Sequence, residues 1–95
     1  MALYKLSTAA ALDFEHIFEF GIDAFGLDRA LVYQDSLKQR FQEIAIKPNQ
    51  FPRVDHLYKG YRRSIHGSHA IYFQDDPTGV LIVRILGQQN LAKAF

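Results

Sequence analysis

Two amphipathic stretches meet across only three residues, Gly26-Leu27-Asp28, and that junction constrains the fold of this 95-residue chain more than any other feature. Before it, Phe14, Ile17, Phe18, Gly21 and Phe25 recur at spacings of three and four, which marks one face of a helix. Asp13, Glu15 and Glu19 fall mainly on the other side. Ser7 is placed to cap the start, its hydroxyl accepting from a free backbone N–H of the first turn. Gly26 closes the helix, because glycine adopts the left-handed conformation of a C′ residue without steric cost. Beyond it, Asp28 can cap a second helix whose stripe is Ala30, Tyr33, Leu37, Phe41 and Ile44. Lys47-Pro48 ends that helix, since proline disfavours a helical residue before it. So short a connection forces an antiparallel helical hairpin. Gly21, midway along the first helix, lets the second approach closely, at a cost of about 1 kcal/mol relative to Ala.

The flanking segments read as strands. Ala2 to Leu6 is a short one. Asn49 to Val54, with Pro48 and Pro52 near its ends, is a loop. Three further strands follow, at roughly Leu57–Ser64, His66–Gln74 and Gly79–Leu86, with Asp75-Asp76-Pro77-Thr78-Gly79 as a hairpin turn. The last of them contains VLIVRIL, apolar on both faces apart from Arg84, as a central strand covered on both sides should be. Gly87–Phe95 reads as a loop with a short terminal helix. The order β-αα-βββ predicts one α+β domain over residues 1–95, a helical hairpin on one face of a largely antiparallel four-stranded sheet.

Composition narrows the function classes. With 48% apolar residues, five Tyr and eight Phe, the chain can fill a core, and disorder is disfavoured. No cysteine is present, which removes disulfides, thiolate nucleophiles and Cys-based zinc sites. No apolar run approaches the roughly 20 residues that span a bilayer. Asp13, Glu15 and Glu19 interrupt the Ala-rich start before a signal-peptide core is long enough, so the chain is expected to stay in the cytoplasm. The net charge of +1 conceals a split. Residues 1–46 carry four Lys/Arg against seven Asp/Glu (−3), and residues 47–95 carry seven against three (+4). The second half therefore offers a basic face, although a solvated strand surface would look the same.

That basic character concentrates in GYRRSIHGSHAIYF. Alternation puts His66, Ser68, Ala70 and Tyr72 on one side and Gly67, His69, Ile71 and Phe73 on the other. The sheet face opposite the helices must be narrow, wet or occupied by a partner. Arg62, Arg63, His66, His69 and Arg84 supply in principle the base, acid and cations that RNA cleavage needs. For any one strand Arg or His, pairing with a carboxylate or with solvent is the commoner role. His66 and His69 have no third ligand at a metal-binding spacing. On the helices, Phe20, Ile22, Leu31 and Val32 lie partly off the apolar stripes and can form an outer groove for a partner, although scattered exposed apolar residues are ordinary.

Together YKLSTAAALDFEHIFEF, FGLDRALVYQDSLKQRFQEIA, GYRRSIHGSHAIYF and VLIVRILGQQNLAKAF resemble, in order and over almost the whole chain, a ParE toxin of the RelE/ParE superfamily. The resemblance implies a type II toxin–antitoxin pair, a ParD-like antitoxin that wraps the hairpin and sheet, and DNA gyrase as the poisoned target. It implies a hetero-oligomer with antitoxin, operator DNA contacted only through the antitoxin, no membrane, no cofactor and no metal. The superfamily's other branch, the RelE-like ribosome-dependent mRNA endonucleases, places an Arg in the third strand, another after the last strand and a Tyr near the end. Here His69 and Gln89 stand at the two arginine positions, and residues 87–95 contain neither Tyr nor His. A neutral Gln cannot stabilise phosphorane charge as Arg does. The expectation is therefore a binder with no catalytic residues. Target contacts fall on Lys59, Arg62, Arg63, His66, His69, Arg84 and Gln89, and antitoxin contacts on Phe14, Phe18, Tyr33 and Leu37. One departure stands out. ParE relatives commonly carry an Arg and an Asp after the last strand, where this chain has the neutral Gly87-Gln88-Gln89-Asn90, so a detoxified toxin-fold protein that only binds its antitoxin stands as an alternative beside the mRNA endonuclease.

Overall fold

Ser7 fixes how the chain enters its first helix, and it does so with both ends of its hydroxyl. The oxygen accepts from the Ala10 N–H at 3.0 Å as an N-cap, while the O–H donates to the Val83 carbonyl at 2.7 Å. The computed structural model describes residues 3–87, so Ala2 and the expected terminal loop and helix beyond Gly87 lie outside the described residues. Within them run β1 (Tyr4–Leu6), α1 (Thr8–Phe25), α2 (Leu27–Ile46), a single 3₁₀ turn (Pro48–Gln50), β2 (Arg62–His66), β3 (His69–Asp76) and β4 (Gly79–Gly87).

The hairpin forms as its junction requires, with two local corrections. Helix α2 starts at Leu27, one residue before Asp28, and its N-cap is Gly26 with no side-chain cap. Asp28 lies instead in the first turn, where a carboxylate favourably meets the helix dipole. Gly26 serves as C-cap and N-cap at once. Its φ of 92° is positive, but its ψ of 164° is extended rather than left-handed helical, because the chain must leave one helix and begin the next in a single residue. Gly21 does permit close approach, since a Cβ there would sit 3.3 Å from the Cβ of Ala30.

The sheet order is β1-β4-β3-β2. β2–β3 and β3–β4 are antiparallel, and β1 runs parallel to β4, so the sheet is mixed with one parallel pair. In the β3–β4 ladder Phe73 faces Ile82 and Tyr72 faces Arg84, which leaves Val83 as an extra residue in a bulge. β1 pairs only as far as Ile82. Beyond that point Ser7 and Asp13 take up the β4 edge, Asp13 Oδ2 accepting from the Ile85 N–H at 3.0 Å.

Two apolar layers result. Facing the helices, Ile71, Phe73, Val80, Ile82 and Ile85 pack with Leu37, Phe41 and Ile44. On the outer face, Ala70, Tyr72 and Leu86 are sealed by Val54, with Leu57 and Tyr61 at the margin. This corrects two expectations. The segment from Leu57 to Tyr61 is not the start of a strand, for β2 begins at Arg62. Residues 51–61 instead fold over the outer face, so the chain covers that face itself. The loop is held by Val54 N–H to the Tyr61 carbonyl (2.8 Å) and by Asp55, which pairs with Arg53 and accepts from the Gly60 N–H. No helix among the described residues is long and apolar enough to cross a membrane.

Candidate functional site: an apolar groove on the helical hairpin

The two helices do not close completely over the sheet. Between them, at the end bounded by the β2–β3 turn, lies an open groove of about 530 Å³. Phe14, Phe18, Tyr33 and Leu37, the four residues expected to meet the antitoxin, all contribute to it. Leu37 has no exposed surface and belongs to the floor of the groove. The rim extends to Phe20 and Val32, 68% and 70% exposed, and to Phe25 at 61%. Phe20 and Val32 stay in water because the α1 and α2 stripes that pack the core leave them outside, whereas Phe25, expected on the α1 stripe, is exposed at the helix end. Large apolar groups clustered beside a concavity mark an interaction site far more often than singly scattered ones do.

One end of the groove is polar and tightly organised. Gly67-Ser68 forms the two-residue β2–β3 turn, with a positive φ of 56° at Gly67 and none at Ser68. The turn places His66 directly opposite His69. The two histidines therefore share the helix-facing side instead of taking opposite faces, as uninterrupted alternation suggests. Both reach α2. The Tyr33 hydroxyl lies 2.7 Å from His69 Nδ1 and 3.1 Å from the His66 carbonyl, and Ser36 Oγ lies 2.8 Å from His66 Nε2. Tyr33 has one proton for two acceptors, so when it donates to the carbonyl the His69 N–H donates back to the hydroxyl oxygen. A side chain at residue 67 would strike the Tyr33 ring, which makes glycine necessary there on two counts. Burial pushes the His69 pKa down, helped by the neighbouring His66; burial also lowers His66, with Arg40 reinforcing and Glu43 opposing.

The other expected target-binding residues are dispersed. Arg84 Nε and one Nη grip the Asp13 carboxylate at 2.7 and 3.1 Å, and that hydrogen-bonded pair raises the Arg84 pKa. Arg62 donates to the Phe51 carbonyl at 2.7 Å. Lys59 is exposed on the 51–61 loop, and Arg63, half-buried, pairs opposite Tyr72 on the outer face. Gln89 lies outside the described residues. Sequence reasoning missed Ser36, which sits three residues after Tyr33 on the same helix face, and Arg40, which donates to Ser64 Oγ (2.8 Å) and the Ile65 carbonyl. It also missed Asp13 as a partner for Arg84. Spacing on α2 carried a signal for Ser36; no local pattern links residue 13 to residue 84. Among the described residues no group of three or more His, Asp or Glu side chains is placed to hold a metal ion.

Fold and groove together define a small α+β protein with an open apolar groove on a helical hairpin. A family model described as the ParE toxin of the type II toxin–antitoxin system parDE matches residues 4–91, and the chain belongs to that family. It is 31% identical over 94 residues to Toxin ParE1 of Caulobacter vibrioides, covering 99% of this chain and 97% of that one. To Toxin ParE1 of Mycobacterium tuberculosis it is 31% identical over 87 residues, covering 90% and 89%. Among solved structures it is similar to a chain of the chromosomal ParDE toxin–antitoxin system from P. aeruginosa, with a TM-score of 0.78 over 92% of this chain and 96% of that one. At 19% identity that likeness speaks for the fold.

Proposed function

We propose that this ParE toxin acts in the bacterial cytoplasm by binding DNA gyrase, without catalysis of its own, and that a ParD-like antitoxin neutralises it by laying an apolar segment into the α1–α2 groove. The observation that carries the reading is the groove itself, where Phe14, Phe18 and Tyr33 meet the exposed Phe20 and Val32. Such a surface suits an amphipathic partner segment that buries alternate apolar anchors. The complex is then a hetero-oligomer, and operator DNA is reached only through the antitoxin.

A binder rather than a nuclease is favoured by the engagement of the candidate catalytic groups. His66 and His69 are tied to Ser36 and Tyr33, and Arg84 is tied to Asp13. A general base must reach the proton it abstracts, and these side chains point into the fold. For gyrase contact, Lys59 and Arg63 on the outer face lead; Arg62, Arg84, His66 and His69 are engaged within the fold and are secondary candidates, and Gln89 is kept as a candidate from the sequence alone.

The test is to incubate the purified protein with gyrase, ATP and relaxed plasmid, alongside a translating ribosome reaction probed for cut mRNA. Blocked supercoiling or trapped DNA breaks, reversed by antitoxin and weakened at least tenfold by Lys59→Ala/Arg63→Ala, is the expected result. Intact gyrase activity overturns the target, and cut mRNA overturns the non-catalytic reading.

A further inference from the structure

We propose that the outer face carries a platform for single-stranded nucleic acid, on which Tyr58 stacks a base while Lys59 and Arg63 meet the flanking phosphates. The binding concerns the toxin alone; that DNA opened in a gyrase complex is its source rests on the proposed function.

The aromatic part comes from the loop over the outer face. Tyr61 packs at the margin of the cluster formed by Val54, Ala70, Tyr72 and Leu86. Tyr58 lies on Tyr61, with ring centroids 4.5 Å apart and planes 28° apart. A turn fixes the pair: the Tyr61 N–H donates to the Tyr58 carbonyl, and the Tyr58 N–H to the Val54 carbonyl, each at 3.1 Å. Tyr61 covers one face of Tyr58, yet Tyr58 remains 56% exposed, so its opposite face and its edge meet water. A ring held flat from below is a stacking surface for a nucleobase, and every base has a π-face, so such recognition tolerates any sequence. Duplex DNA keeps its base faces within its own stack, so the platform selects unpaired strands.

The charge around the stack suits phosphate. Residues 51–63 carry four Lys/Arg against one Asp (+3), in a chain whose net charge is +1. The single carboxylate is already engaged. Asp55 accepts from Arg53 at 2.9 and 3.1 Å and from the Gly60 N–H at 2.8 Å. Those bonds hold its pKa below the ordinary carboxylate value, and Lys59 is close enough to add to the effect. Arg62 is engaged by the Phe51 carbonyl. Lys59 and Arg63 join no ion pair among the described residues. Lys59 follows Tyr58 in the chain and is exposed. Register sets Arg63 opposite Tyr72, a member of the cluster that Tyr61 borders, so cation and stack flank one patch. An acidic protein surface would use these cations and leave the stack idle; a single strand uses both.

The test titrates the purified toxin, by anisotropy, into fluorescent oligothymidine and oligouridine of about 12 nucleotides, an abasic phosphodiester of equal length and a duplex. The expected Kd for the unpaired strands is about 10–100 μM, with the abasic strand and the duplex at least about tenfold weaker. Two phosphate contacts give a slope of log K against log salt of about −1.4, because each contributes about −0.7 on a single strand. Tyr58→Leu should weaken oligothymidine binding about tenfold without changing that slope, Tyr58→Phe should change neither, and Lys59→Gln should flatten the slope by about 0.7. If the Leu variant also unfolds earlier, Tyr58→Phe and the Lys59→Gln slope still decide. Absence of binding at low salt overturns the proposal, and so does equal binding of the abasic strand or the duplex. A tenfold preference for oligouridine keeps the platform and makes RNA its source. Should wild-type toxin bind single strands yet leave gyrase unaffected, the platform stands and the gyrase reading falls. Should Tyr58→Leu trap gyrase breaks as wild type does, the platform stands without gyrase-held DNA as its source.

Discussion

The two faces of the sheet are finished in opposite ways. On the outer face a loop of the chain's own, residues 51–61, lays Val54 over Ala70, Tyr72 and Leu86. On the inner face two long helices bury a larger core yet leave a groove between them, with Phe20 and Val32 off the stripes that pack it and Phe25 exposed at the end of its stripe. A loop adapts its backbone to the surface beneath it, whereas a pair of straight rods joined by one glycine cannot. The difference teaches where a partner can enter. The outer face presents charge over a sealed layer, and the inner face presents unsatisfied apolar surface.

The comparison breaks most visibly at the groove floor. Leu37→Ala removes a fully buried side chain beneath both helices and should cost about 3 kcal/mol of stability, measured by urea denaturation. A loss below about 1 kcal/mol would show that the helices collapse readily into the space, and the groove would then be a soft feature rather than a held one. The corresponding change outside is Val54→Ala. Two methyl groups leave the outer seal, for an expected cost of about 2 kcal/mol. Hydrogen exchange of the Val54 amide, which donates to the Tyr61 carbonyl, should accelerate together with it. If exchange instead stays as slow as in wild type, the loop is held by its Asp55 contacts and not by apolar burial.

How much of this was legible in the sequence differs between the same two faces. The hairpin was legible because helical periodicity is a local signal repeated over many residues, and the three-residue junction left one arrangement for it. The rim of the groove was half visible: of the four residues read as lying off the stripes, Phe20 and Val32 line it and Ile22 and Leu31 do not. The outer cover was not. Val54, Leu57 and Tyr61 offer a few apolar positions compatible with either a strand or a folded loop, and the choice depends on Tyr72 and Leu86, which are distant in sequence. The pairing of His66 with His69 was recoverable, since Gly-Ser is a two-residue hairpin turn, but alternation carried through it assigned the histidines to opposite faces. Arg84 with Asp13 depends on where β1 stops pairing, which is a tertiary fact.

The smallest effect tests whether the polar end of the groove holds the inner face together. Both histidines titrate below their ordinary value of 6.5 in the folded chain, mainly through burial. Above that value they are neutral folded and unfolded, and the contact is complete. As pH falls through 6.5 the unfolded chain takes up protons first, so stability declines until the folded-state values are passed. Two cations facing each other across the β2–β3 ladder, with Arg40 nearby, then oppose the contact with α2. Tyr33→Phe removes the hydroxyl shared by His69 and the His66 carbonyl and should cost about 1 kcal/mol at pH 7.5. Its loss should persist toward pH 5, because a protonated His69 still donates its Nδ1 N–H to that hydroxyl oxygen. A penalty that shrinks toward pH 5 would mean that the hydroxyl donates to a neutral His69 rather than to the His66 carbonyl.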